Sequence, residues 1–329
     1  MSDKLLITPY YGEFPNYFQL WLNRIKSNLN LDLLLVTDSD LSNYDVESIN
    51  IKIVNMTLSE LREAIEEVVG QKVKLNKPYK VNDYRPLFGE VFFKYGMGYE
   101  WLGTLDADVI LGDTSQFLTN NAIDQFDKVI GNGHFTIWKN NSKNNGLWRN
   151  EHQNLYNDMI PFDVVRSLNA NAAFDEYGWN WGKGISTFME REGYTIENAI
   201  PRADLDFSYN GFYSKRMGKN MEYLQRIRIT DEGMFAVDKF GNEKEIMYAH
   251  FQKRSMSISN NLDVNKSKFD IVPNRFVDNG EEVIDDDLNA MRQRFDVKSK
   301  QRVWKTKKHN LFSDYLILRL VMLYKSRKF

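Results

Sequence analysis

The chain has 329 residues, 42% hydrophobic and 27% charged, with a formal net charge of −2 and no cysteine. That length buries a substantial core, as one large domain or a domain with an appendage. The near-neutral balance argues against nucleic acid as a partner. The lack of cysteine excludes a disulfide framework, thiolate metal ligands and thiol catalysis. Aromatic residues make up 14%, a share that suits core packing first and sugar or base stacking second.

Lys4 to Thr8 reads as a buried strand, followed by the loop Pro9-Tyr10-Tyr11-Gly12-Glu13. Met1 to Pro9 is too short in apolar residues for a signal peptide, and no segment reaches the roughly 18–20 apolar residues that span a bilayer, which points to a cytosolic protein. Asn16 to Asn28 has helical spacing, with Phe18, Leu22 and Ile25 on one face. Leu31 to Thr37 is a second strand, ended by Asp38-Ser39-Asp40. Ile49 to Val54 is a third, and Thr57 to Val69 a helix capped by Thr57 or Ser59. Strand–helix–strand alternation with short apolar strands predicts an α/β fold whose sheet is covered on both faces. Ligands of such sheets bind beyond the carboxyl ends of the strands. Thr8, Pro9, Tyr10 and Asp38 fall at those ends.

Lys80, Asp83 and Arg85 stand before a helix expected over Gly89 to Gly98. They read either as a capping group or as a phosphate and ribose clamp. Next comes Trp101-Leu102-Gly103-Thr104-Leu105-Asp106-Ala107-Asp108-Val109-Ile110-Leu111-Gly112-Asp113. Asp106 and Asp108 lie two residues apart, on one side of an extended chain. Two carboxylates so close raise each other's pKa unless a cation neutralises them, and a hard divalent ion, Mg²⁺ or Mn²⁺, would do so. Two solvated aspartates in a turn is the competing reading.

Farther along, His134 lies in a strand around Gly131 to Trp138. Asp175 and Glu176 sit among aromatic and glycine residues in Ala172 to Gly182. Ser186 to Glu192 reads as a helix and Tyr194 to Ile200 as a strand. Phe235 to Val237 and Lys244 to Tyr248 read as a hairpin, leading into His250-Phe251-Gln252-Lys253-Arg254. After about residue 262 the composition shifts. Glu281 to Asp287 is acidic, Lys298 to Lys308 basic, and Leu311 to Tyr324 strongly apolar. This divides the chain into 1–261 and a helical extension, 262–329. The extension reads either as packed on the core or on a second subunit, or as attached to an anionic membrane face.

These residues resemble a family. The segment around Asp106 and Asp108 is similar to the metal motif of GT-A-fold glycosyltransferases. With Asp83-Tyr84-Arg85-Pro86, Gly133 to Asn140 and His250, the chain resembles the bacterial enzymes encoded with capsule, exopolysaccharide and O-antigen genes. The resemblance spans roughly 4 to 257. It implies a Rossmann-like mixed sheet flanked by helices. It further implies a metal-dependent, inverting transfer of a hexose, galactose or galactofuranose among them, from a UDP-sugar to a glycan or lipid-linked acceptor. Asp106, Asp108 and His250 would hold Mn²⁺ or Mg²⁺. Thr8, Pro9, Tyr10, Asp38, Lys80, Asp83, Arg85, His134 and Lys253 would bind the donor. Inverting relatives carry an acidic pair after a Trp-Gly; here Lys183-Gly184-Ile185 stands after Trp181-Gly182. The catalytic base is therefore expected at Asp175 or Glu176, with Asp204 or Asp206 as substitutes. A nucleotide-sugar hydrolase or nucleotidyltransferase is one alternative, although Thr8 to Gly12 is no Gly-rich phosphate loop. A non-catalytic membrane scaffold is the other.

Overall fold

The computed structural model describes residues 2–149, 158–179, 182–205, 212–214, 222–238, 240–252, 254 and 256–282, with 301, 304, 305, 307, 308 and 314–326 near the C-terminus. The first half builds an α/β layer. Strands β1 (Lys4–Pro9), β2 (Asp32–Thr37), β3 (Ile51–Asn55) and β4 (Trp101–Leu105) are joined by β6 (Lys128–Val129), β7 (Phe135–Lys139) and the short strand Ile196–Glu197; β5 (Val109–Leu111) leaves for a second sheet. The order is Ile196–Glu197, β6, β7, β4, β1, β2, β3. β1 runs parallel to β2 and β4, and β2 to β3, whereas β7 is antiparallel to β4 and β6. The sheet is thus mixed and Rossmann-like.

Both faces are covered, as the apolar strands require. Leu6, Leu33 and Leu35 turn to one core with Phe18, Leu22 and Ile25 of α1 (Phe18–Lys26). Leu5, Ile7, Leu34 and Val36 turn to the other, with Leu61 and Ile65 of α2 (Leu58–Val69). Alternate residues of one strand serving opposite cores is the two-residue period of extended chain. The start of α2 carries a reciprocal cap: Thr57 accepts from the Glu60 N–H, and the Glu60 carboxylate accepts from the Thr57 N–H. Its end is set by Gly70, at φ +72°.

The expected helix over Gly89 to Gly98 is broken. A 3₁₀ run, Pro78–Leu87, is followed by two single turns, Phe88–Val91 and Phe93–Gly96. Phe92 stands between them, buried like Phe88. The hairpin expected near residue 240 is present as Met234–Asp238 paired with Glu243–Glu245, but its second strand stops short of Tyr248, which opens a strand of another sheet. It belongs to a third sheet of seven strands. That sheet also takes in Phe269–Val272 and Arg275–Val277. Strand pairing therefore runs across residue 261.

Candidate active site

A small sheet of three short strands assembles the centre. Ala203–Asp204 lies parallel to Tyr248–His250, which lies antiparallel to β5. The register sets Asp204 opposite His250 and His250 opposite Val109. The Phe251 N–H donates to the Asp108 carbonyl at 2.9 Å, and the Asp106 N–H to the His134 carbonyl at 2.8 Å. Backbone pairing thus gathers residues from four distant places in the chain.

The side chains complete it. His250 Nδ1 donates to Asp204 Oδ1 at 2.9 Å, which leaves Nε2 at 3.6 Å from Asp108 Oδ1. Gln252 Nε2 donates to the same Asp204 oxygen at 2.6 Å. Gln252 achieves this at φ +47°, a left-handed conformation that costs a non-glycine residue about 1 kcal/mol or more. The His134 ring stacks on His250, centroids 3.9 Å apart, and its Nε2 pairs with the Tyr248 hydroxyl at 2.8 Å.

Burial opposes a charge on His250, but Asp108 and the bond to Asp204 outweigh it and raise the imidazole pKa. Burial also opposes the Asp204 carboxylate; the bond from His250 and the fields of both histidines hold it well below the usual range. Burial raises the Asp106 carboxyl, Arg85 pulls it back, and Asp108 raises it further. Two carboxylates and an imidazole are a donor set suited to Mn²⁺. A carboxylate fixing the far nitrogen of the imidazole is the usual support for a metal-ligating histidine. Among the described residues, the three side chains that bring ligand atoms within 4.8 Å of one another are His134, Asp204 and His250. Asp204 Oδ1 and His134 Nε2 hold hydrogen-bond partners there, as Asp106 Oδ1 does with Arg85.

Arg85 bridges this centre to a second layer. One end of its guanidinium pairs with Asp106 and the other with Asp175 at 3.1 Å, and Nη1 also donates to the Gly133 carbonyl at 2.6 Å. Asp175, expected as the base, is placed at the other end of Arg85 from Asp106. Its carboxylate is buried behind Arg85 and lines a cavity of about 30 Å³, room for about one water. Burial raises its pKa in spite of Arg85. Glu176 accepts from the Gly133 N–H at 3.2 Å, bracing the loop before His134. Lys80 and Asp83, expected as donor-binding residues, lie inside the protein. Both are fully buried; Lys80 Nζ donates to Asp83 Oδ2 and to the Ala170 carbonyl, each at 2.8 Å. Asp83 accepts from the N–H groups of Ala172 and Phe174 at 2.8 and 2.9 Å. The pair pins the segment leading to Asp175, because a buried charge must be matched inside the protein. Lys128, which sequence reasoning missed, does similar work, donating to Ser186 Oγ and the Asp175 carbonyl.

In front of Asp106 and Asp108 opens a cleft of about 640 Å³, lined also by Thr8, Pro9, Tyr10, Tyr11, Tyr17, Tyr79, Arg85 and Arg254. Thr8 Oγ1 ties β1 to the Leu105 carbonyl at 2.9 Å. Tyr10 heads a run of stacked rings, Tyr10–Phe14, Phe14–Phe18 and Phe18–Trp21, with centroids 4.8, 4.0 and 5.1 Å apart. The Trp21 indole closes the run by donating to the Asp106 carbonyl at 3.2 Å. Asp38 is exposed at the tip of β2; after burial, its charge is the next factor raising the Tyr11 phenol. Lys253, Trp181 and Asp206 lie outside the described residues. Besides Arg85, the cleft holds Arg254, buried and donating to Asn274 Oδ1 at 3.0 Å. Its signal was the second basic residue of Lys253-Arg254.

Fold and site together define an α/β protein with an acidic and imidazole centre at the carboxyl edge of its sheet. The chain belongs to the DUF6625 family, a family of unknown function, whose model matches residues 6–280. No curated protein matches it. Among solved structures it is similar to the galactosyltransferase LgtC in complex with donor and acceptor sugar analogs. The identity is 10%, covering 77% of this chain and 88% of that one, with a TM-score of 0.41. A likeness of that degree says nothing further about this chain.

Proposed function

We propose that the protein is a GT-A-type glycosyltransferase that moves a hexose from a nucleoside-diphosphate sugar, UDP-hexose first among them, to a glycan acceptor. One observation carries the reading: Asp106 and Asp108 line a large aromatic-walled cleft, and His250 Nε2 lies 3.6 Å from Asp108 Oδ1. Asp106, Asp108 and His250 are the residues that would hold a divalent ion. Such an ion, when bound, would offset charge developing on the departing diphosphate. The chain's own residues do the rest. Asp204 orients the imidazole, and Arg85 holds Asp106 in place. Arg254 sets a fixed positive charge at the cleft, suited to a diphosphate. Tyr10 and Tyr11 offer ring faces to a base or ribose.

The test is release of UDP from UDP-glucose and UDP-galactose, with glycan acceptors, in Mn²⁺ and in chelator. The reading expects turnover in Mn²⁺ that chelator and Asp108→Ala both abolish. Equal turnover in chelator, or an Asp108→Ala enzyme of full activity, would overturn it.

A further inference from the structure

The helix Asp314–Ser326 is fastened to the body along one edge. The Asn169 N–H donates to Asp314 Oδ2 at 2.8 Å. Leu318, 1% exposed, packs into the core that α2 also covers. The opposite edge is apolar and open to solvent: Leu316, Ile317, Leu320, Leu323 and Tyr324 are exposed by 43, 49, 56, 48 and 63%. With about 100° of turn per helical residue, these five fall in a sector about 120° wide, centred about 160° from Leu318. A helix resting on a protein surrounded by water shows the reverse arrangement, polar outward.

Charge is distributed just as unevenly. From residue 297 to the end the chain has ten lysines and arginines, and Asp314 is the single acid. Residues 1–296 carry 33 lysines and arginines against 44 acids. Lys305, Lys307 and Lys308 are exposed, as is Trp304, with Lys308 over its ring at 5.5 Å.

We infer that this face docks on an anionic lipid bilayer. Apolar side chains flanked by cations are what an interfacial helix needs: burial below the headgroups and attraction to them. The acidic remainder is repelled by the same surface, so docking has one orientation. A second copy is the poorer partner, because a symmetric dimer would bring two basic tails together. Thirteen residues make about 20 Å of helix, against about 30 Å of hydrocarbon, so the helix lies on the bilayer. No helix among the described residues is long and apolar enough to cross it. The helix is fastened at Asn169, beside the segment that Lys80 and Asp83 pin. If the glycosyl-transfer reading holds, on which this clause alone rests, the acceptor is lipid-linked.

The test is co-sedimentation of the full chain with vesicles of phosphatidylcholine, alone or in equal mixture with phosphatidylglycerol. Binding is expected to the mixed vesicles only, and to weaken with salt. The double variant Leu320→Glu/Leu323→Glu, and separately Lys305→Glu/Lys307→Glu/Lys308→Glu, should each weaken it about tenfold or more. The inference fails if neither vesicle binds, if both bind equally, or if the variants bind like the parent. It also fails if the chain sediments as a dimer that Leu320→Glu/Leu323→Glu dissociates. UDP binding, measured on the same preparations, reports on the cleft separately. UDP binding without vesicle binding defeats docking alone, and vesicle binding without UDP binding defeats the glycosyl-transfer reading alone.

Discussion

His250 and Asp204 face each other across paired strands, Nδ1 to Oδ1 at 2.9 Å, and this bond turns Nε2 toward Asp108. Asp204 is therefore the positioning residue for the imidazole. Asp204→Asn should weaken Mn²⁺ binding about 10- to 100-fold, the usual loss when the support of a ligating histidine is removed. Titration of the free-Mn²⁺ resonance signal reads this directly. Unchanged affinity would remove Asp204 from the centre.

Arg85 sits between Asp106 and Asp175 and is itself buried. Arg85→Met takes the cation from Asp106 and a hydrogen-bond donor from Asp175 and the Gly133 carbonyl, and should cost about 1–3 kcal/mol in urea unfolding. Arg85→Lys should recover only part of that, since a single ammonium does not reproduce a fork reaching Asp106, Asp175 and the Gly133 carbonyl. Parental stability in the methionine variant would contradict the bridge.

Burial moves the Asp175 carboxyl from the ordinary range near 4 up to about 8. Between those values the folded chain holds the proton and the unfolded chain has lost it. The group's contribution to stability thus falls as pH rises through that window. Asp175→Asn has no such loss. The unfolding free energy of the parent minus that of the variant should decline from pH 5 to pH 8 in urea titrations. A difference that grows with pH would mean that Arg85 keeps Asp175 ionised.

Gly103 lies in β4, just before the two aspartates. A Cβ there would stand 2.3 Å from the Thr136 carbonyl and 2.5 Å from Ile137 Cγ2. Gly103→Ala should therefore push β4 from β7 and destabilise the chain by about 1–3 kcal/mol. Calorimetry checks this, and a melting temperature equal to the parent's would show slack in the sheet.

The residues legible in the sequence were those whose neighbours are local. β1, β2 and β3 announce themselves as apolar runs, and α2 by its period and its Thr57 cap. The centre was legible only in part. Asp106 and Asp108 stand out because an apolar strand leads into them. The role of Asp204 does not, because its partner is 46 residues away and the strands joining them are two and three residues long. Lys80 and Asp83 show the same limit, because their partners in Ala170 to Phe174 are distant in sequence. Charged residues before a helix look like a clamp until the fold folds Ala170 to Phe174 over them. The two sides of the C-terminal helix are equally invisible in composition, since apolar residues on the buried and open edges read alike.

The central claim is that Asp106, Asp108 and His250 hold one divalent ion against a nucleoside diphosphate. The most direct measurement is a crystal soaked with UDP and Mn²⁺, read by the anomalous scattering of manganese. The account predicts one peak in contact with Asp108 Oδ and His250 Nε2, with the UDP diphosphate on its cleft side. A peak held instead by His134, Asp204 and His250, or UDP bound in the cleft with no manganese beside these residues, would contradict it.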